Sequence, residues 1–216
     1  MTETGLFIKG WSFNETLVFI AYSELFFGLD SAIFSMSSRF WYIIYSGNLD
    51  TLLTRPLDPR IRLIILNTNY LEIVTTALSF LMIIIVSGVK INFFLLIAGI
   101  AIVIIANIVL ALIRFIMSYS AFWVGRMDAV SELSDCLTWF NKYPLVIMPT
   151  LLKIVFATIL PFYFFSTFSA ELVLVKLTYS KAIVFVIGLI FNLIIWMIIN
   201  KIIWKKGIAR YESLNG

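Results

Sequence analysis

The chain has 216 residues, of which 62% are hydrophobic, 16% aromatic and only 13% charged, with a mean hydropathy of +1.03 and a net charge of +4. This balance excludes an ordinary soluble domain and indicates a polytopic membrane protein, with room for several spans but none for a separate soluble catalytic domain. The basic excess in so apolar a chain reads as topology signals and lipid-surface contacts rather than nucleic-acid binding, and a single cysteine, Cys136, with no histidine offers little to a disulfide or a metal.

Met1 to Gly10 lacks the basic and apolar regions of a secretory signal, so the first span is expected to remain in the chain. That span runs from about Glu15 to Met36 and carries Glu24 and Asp30. The second covers Tyr70 to Ser87, the third Asn92 to Ile113, the fourth Val146 to Phe168 and the fifth Ala182 to Trp204. Pro149 and Pro161 interrupt the fourth, so a kink or break is expected there, with Phe162 to Leu172 dipping back toward the outer surface. The expected fold is an all-α bundle of about five spans forming one domain over residues 1–216.

Basic residues orient the spans. Arg39, Arg55, Arg60 and Arg62 follow the first; Arg114, Arg126 and Lys142 follow the third; Lys201, Lys205, Lys206 and Arg210 follow or end the fifth. The positive-inside rule places these segments and the C-terminus in the cytoplasm and Met1 outside. An outward N-terminus without a signal raises the expectation of one more helix upstream in the natural family.

Between the first two spans, Leu49, Leu52 and Leu53 have helical spacing, and Arg55-Pro56-Leu57-Asp58-Pro59 stops any helix before Pro56. A short amphipathic helix on the cytoplasmic face is expected. Two readings stand side by side: a solvated turn whose arginines enforce topology, or a docking element. In the second, Leu52, Leu53 and Leu57 enter a groove on a cytoplasmic partner, while Asp50 and Arg55 set the register by charge.

The pattern Gly47-x-Leu49-Asp50-x-Leu52-Leu53-x-Arg55-Pro56-Leu57 resembles the membrane permease subunits of type-2, export-associated ABC transporters. So do Gly10-Trp11, Phe122-Trp123, Lys142-Tyr143-Pro144 and the terminal Arg210-Tyr211-Glu212-Ser213, in the expected order. The resemblance implies six spans, dimerisation with a second copy or a sister permease, and a separate cytoplasmic ATPase that carries ATP and Mg. It also implies that Gly47 to Leu57 is the coupling element and that the aromatic region after Pro161 forms an outer re-entrant gate. This chain departs by lacking the family's first span. It contains no phosphate-binding loop of its own, so hydrolysis belongs to the partner and no catalytic or metal residues are assigned.

Charges inside spans point to a translocation path or to interhelical contacts: Glu24, Asp30, Glu72 and Arg114, with Asn107 and Asn192 read as hydrogen-bond glue. Trp11, Trp41, Trp123, Trp139 and Trp204 fall near span ends and are expected in an interfacial belt. Glu132, Asp135 and Cys136 share a segment without the histidine or second cysteine a metal site would want. The leading expectation is a non-catalytic permease subunit of an ATP-driven exporter in the cytoplasmic membrane, coupled to its ATPase through the loop 46–62. The alternative is a stand-alone secondary transporter or a membrane scaffold. A membrane-bound transferase is disfavoured because the loop carboxylates Asp50, Asp58, Asp128, Glu132 and Asp135 form no tight acid/base motif.

Overall fold

In a computed structural model, which describes residues 11–139 and 166–211, every regular element is helical. Ser12 and Glu15 close a capping box that starts α1 (Phe13–Leu29), each side chain bonding the other's backbone N–H. A π-helical turn, Asp30–Phe34, then leads directly into α2 (Met36–Tyr45). The segment between the first two spans holds two further helices, α3 (Leu49–Leu53) and α4 (Pro59–Asn67). Next come α5 (Tyr70–Ser87), α6 (Phe93–Ser118), α7 (Ala121–Val124) and α8 (Asp128–Trp139). After the undescribed stretch follow α9 (Thr167–Val173) and α10 (Tyr179–Arg210).

Among the described residues, four helical stretches are long and apolar enough to cross a membrane: Phe13–Tyr45, Tyr70–Ser87, Phe93–Val124 and Tyr179–Arg210. Three of them outrun the lengths expected from hydropathy. At 1.5 Å per residue, 32 or 33 residues reach about 48 to 50 Å, against roughly 30 Å of hydrocarbon. The apolar run ends where lipid ends, but neither proline nor glycine stops the backbone there, so the helices continue into polar surroundings. The predicted fourth span, 146–168, with Pro149 and Pro161, lies outside the described residues except for 166–168; of the re-entrant stretch 162–172, residues 162–165 lie outside them and 166–172 are described.

Two apolar clusters hold the bundle. One joins α1, α5, α6 and α9 through Val18, Tyr22, Phe26, Phe80, Val103 and Phe168. The other joins α2, α4, α6, α7 and α8 through Phe40, Trp41, Leu63, Phe115 and Tyr119, with Trp204 of α10 packed against it. The second cluster gathers segments 36–67, 119–139 and 200–211 at one end. This end carries most of the arginines and lysines, including Arg39, Arg55, Arg60, Arg126, Lys205 and Arg210, and is called the basic end below. At the opposite end, α9 packs on α6, with the Ser169 hydroxyl donating to the Gly99 carbonyl at 3.1 Å. There Lys176 pairs with Glu15 at 3.0 Å and lies 4.4 Å from the centre of the Trp11 ring. On α5, Val74, Leu78, Leu81, Met82 and Ile85 are exposed, as befits a lipid-facing side.

The belt reading of the tryptophans needs correction. Trp41 is buried and its Nε1–H donates to Ser131 Oγ at 3.0 Å, Trp11 is buried beneath Lys176, and Trp204 stacks among Phe40, Tyr119 and Phe122. Trp41 belongs to the second cluster with Trp204 packed against it, and Trp11 belongs to the first. Trp123 is exposed, and the Trp139 side chain lies outside the described residues.

Candidate functional site

Asp30 opens the π-helical turn, and its carboxylate is clasped by the Arg114 guanidinium: Nη1 to Oδ1 at 2.5 Å and Nη2 to Oδ2 at 2.9 Å. Both residues are buried, and the two-point geometry matches the planar fork of arginine to a carboxylate. A π turn accommodates an extra residue in the helix and rotates the downstream face by roughly 100° relative to regular winding. The pair therefore fixes the point at which α1 changes register, and ties it to α6.

Along the same long helix, Glu24, Gly28 and Ser31 lie at intervals of four and three residues, the spacing of one helical face, and Ser35 and Ser38 follow beyond the π turn. They line two adjoining cavities. The first, about 380 Å³, lies between α1 and α5 and is walled by Glu24, Gly28, Ser31, Glu72, Thr75 and Ser79. The second, about 340 Å³, continues toward the basic end past Ser35, Ser38, Arg39, Arg114 and Ser131. Phe27 and Ser31 border both, so the two form one polar track. Glu24 and Ser31 are exposed along it in the single chain. Carboxylates at membrane depth are costly unless they meet water or protein.

At the tip of the basic end, Gly47 adopts φ +74°, the left-handed region that L residues with side chains avoid, and reverses the chain from α2 into α3. Leu49 is fully buried and anchors α3, whereas Leu53, Arg55, Pro56 and Leu57 are exposed and Leu52 is half-buried. Asp50 is half-buried and faces the Tyr211 hydroxyl; burial first, and the Asp50 carboxylate second, push that phenol up to about 12.

Asp58 caps α4, accepting from the Arg60 backbone N–H at 2.9 Å, with Pro59 in the first helical position. Its carboxylate also holds the Arg60 guanidinium, Nε to Oδ1 at 2.8 Å and Nη2 to Oδ2. The same guanidinium donates to Asn200 Oδ1 at 2.5 Å and Tyr119 Oη at 3.4 Å, and lies 5.1 Å from the centre of the Trp204 ring. Asn200 Nδ2 in turn donates to the Leu112 carbonyl at 3.2 Å. Burial opposes the Arg60 charge, but the Asp58 and Tyr119 contacts outweigh it and raise its pKa. Asp58 shows the mirror effect: burial raises it, and the Arg60 bonds pull it below the usual carboxylate range. One guanidinium thereby links α4 to α6 and α10.

The structure brings Asp30 to Arg114 and Glu24 to Glu72, two groupings among the five candidate path residues. Asn107 stands apart: its Nδ2 donates to Val103 O of its own helix at 3.1 Å, so the expected interhelical bond is absent among the described residues. The sequence reading missed the α4 helix and the Arg60–Asn200–Tyr119–Trp204 cluster. The Asp58-Pro59 pair was a readable helix start, whereas Arg60 and Asn200 lie 140 residues apart and share no motif.

Four apolar membrane-length helices among the described residues, in an all-helical architecture, define a polytopic membrane protein. The chain belongs to the ABC-2 family of transporter membrane proteins: the family model described as ABC-2 family transporter protein matches residues 1–215. Members of this family are membrane permease domains, typically non-catalytic, and the family in general implies an ATPase partner. No curated protein and no solved structure gives a significant match.

Proposed function

We propose that the chain is the permease subunit of an ATP-driven exporter in the cytoplasmic membrane, receiving force from a separate ATPase through the loop 46–62 and passing substrate along the polar track on its first helix. The observation that carries this reading is the tip: an exposed Leu53–Arg55–Pro56–Leu57 surface hung from a buried Leu49 and braced on two membrane helices through Arg60. An element held rigidly on its inner side and bare on its outer side transmits displacement to whatever holds it. The basic end then faces the cytoplasm, where the ATPase carries ATP and Mg. Two copies of this chain, or this chain and a sister permease, would face their tracks toward each other, which gives Glu24 and Glu72 a hydrated lumen in place of lipid.

The test is co-purification of the tagged full chain in mild detergent, beside the triple variant L53A/R55A/L57A. A stoichiometric ATPase retained by the native chain and lost from the variant supports the coupling role. Equal retention by a correctly inserted variant would move the docking surface elsewhere.

A further inference from the structure

A groove of about 410 Å³ opens on the membrane-facing side between α4, α6 and α10, away from the polar track. Its walls are Phe34, Ile61, Ile64, Ile108, Phe115 and Met197, and its polar end is formed by Arg60, Asn200 and Lys201. Position along the helices orders these groups. Counting from the opposite end at 1.5 Å per residue, Ile108 lies roughly 23 Å along α6 and Met197 roughly 27 Å along α10, while Lys201 lies roughly 33 Å along α10. The wall at Ile108 and Met197 is therefore apolar within hydrocarbon depth, and the cationic groups stand where headgroups begin, level with Phe115, which also lies roughly 33 Å along its helix. No carboxylate lines it. Arg60 is already matched by Asp58, but Lys201 is exposed and has no ion-pair partner among the described residues, and Lys205 follows one turn later. Along α4, Ile61, Ile65 and Leu66 are exposed beside the groove, an apolar face that water would not leave bare.

We infer that this groove seats an anionic glycerophospholipid of the leaflet at the basic end, one acyl chain lying between α4, α6 and α10 and its phosphate meeting Lys201. An amphiphile whose negative charge sits at headgroup depth above an apolar tail complements the groove, whose cations Arg60 and Lys201 stand at one end and whose walls are apolar. A lipid wedged there would touch α4 and both helices that Arg60 joins. This inference is independent of ATP coupling and substrate passage.

The full chain, purified in mild detergent, is titrated with dioleoyl phosphatidylglycerol or, separately, dioleoyl phosphatidylcholine in mixed micelles. Bound lipid per chain is read by native mass spectrometry, with the thermal midpoint followed in parallel. Phosphatidylglycerol should be retained preferentially, and Lys201→Ala should weaken its binding by about fivefold while Lys181→Ala, at the opposite end, leaves it unchanged. Ile61→Trp, which fills an exposed wall position, should lower retention of both lipids. Equal retention of the two lipids by the native chain, or no effect of Lys201→Ala, would overturn the assignment. So would inorganic phosphate alone reproducing the midpoint shift, or a second copy of the chain occupying the face that Ile61→Trp clears.

Discussion

Asp30 and Arg114 are two ionisable side chains placed where the chain is otherwise apolar, and their mutual geometry decides what they do. With Nη1 and Nη2 each on a carboxylate oxygen, the pair is an internal clamp between the π turn and α6. Removing one partner of such a pair leaves an uncompensated buried charge, at a cost of about 3–5 kcal/mol, whereas replacing both by apolar groups of similar volume is often close to neutral. Asp30→Ala should therefore lower the thermal midpoint in detergent sharply, and the double variant D30A/R114M should recover most of the loss. Recovery without transport would separate the clamp's structural part from any part in substrate passage. Asp58 gives a pH-dependent prediction. Because its pKa is lowered in the folded chain, its contribution is present above the unfolded carboxylate value of about 3.9 and disappears as pH falls through the lower folded value. The difference in midpoint between the native chain and Asp58→Asn should be constant from pH 7 to about 5 and shrink below about 4.

Element boundaries follow local chemistry that can be read from the chain, while element contacts do not. Asn69 and Asn92 cap α5 and α6 through their side-chain oxygens, Gly88 ends α5 at φ +61°, and Pro56 prevents α3 from running on; each is a short-range signal. Asp58-Pro59 was an equally clear start for α4, yet Arg60, Arg62 and Asn67 made the segment look like a polar loop. What hides the role of Arg60 is its contact with Tyr119, Asn200 and Trp204, which only the tertiary fold supplies. The candidate path was legible in part: Glu24, Asp30, Glu72 and Arg114 stand out as charges within spans, but the four-and-three spacing of Gly28, Ser31, Ser35 and Ser38 carries no charge and passes as ordinary small residues. Gly28 also has a packing role that hydropathy cannot show. A Cβ there would lie 2.0 Å from Thr76 Oγ1 and 2.5 Å from its Cγ2, so α1 and α5 approach closely at this crossing. Gly28→Ala should destabilise the chain by about 1–3 kcal/mol through overpacking, and the added change Thr76→Ala should recover part of the midpoint, because it removes Oγ1 and Cγ2 but keeps the Cβ that would lie at 2.8 Å.

Across the whole molecule, the long first helix carries the polar track on one face while its basic-end continuation, α2, leads into the exposed tip. A displacement of the tip acts on the same helix that lines the track, and the Arg60 cluster spreads it to α6 and α10. The π turn falls within the track, between Gly28 and Ser35, at the level where the Asp30–Arg114 clamp holds the helix to α6. If the track is a hydrated route, accessibility should follow its face rather than the depth of a residue in the membrane. In a Cys136→Ser background, single cysteines at Glu24, Ser31 and Ser35 should react with a membrane-impermeant methanethiosulfonate, whereas cysteines at Leu78 and Ile85 on the exposed apolar side of α5 should not. Reactivity at Ser31 and Ser35 should also change between nucleotide-free and ATP-trapped states of the assembled complex, since two alternating arrangements of the spans open the route to opposite sides. Equal protection of all five positions in both states would mean that the track is closed by a partner helix and that its serines pack rather than conduct.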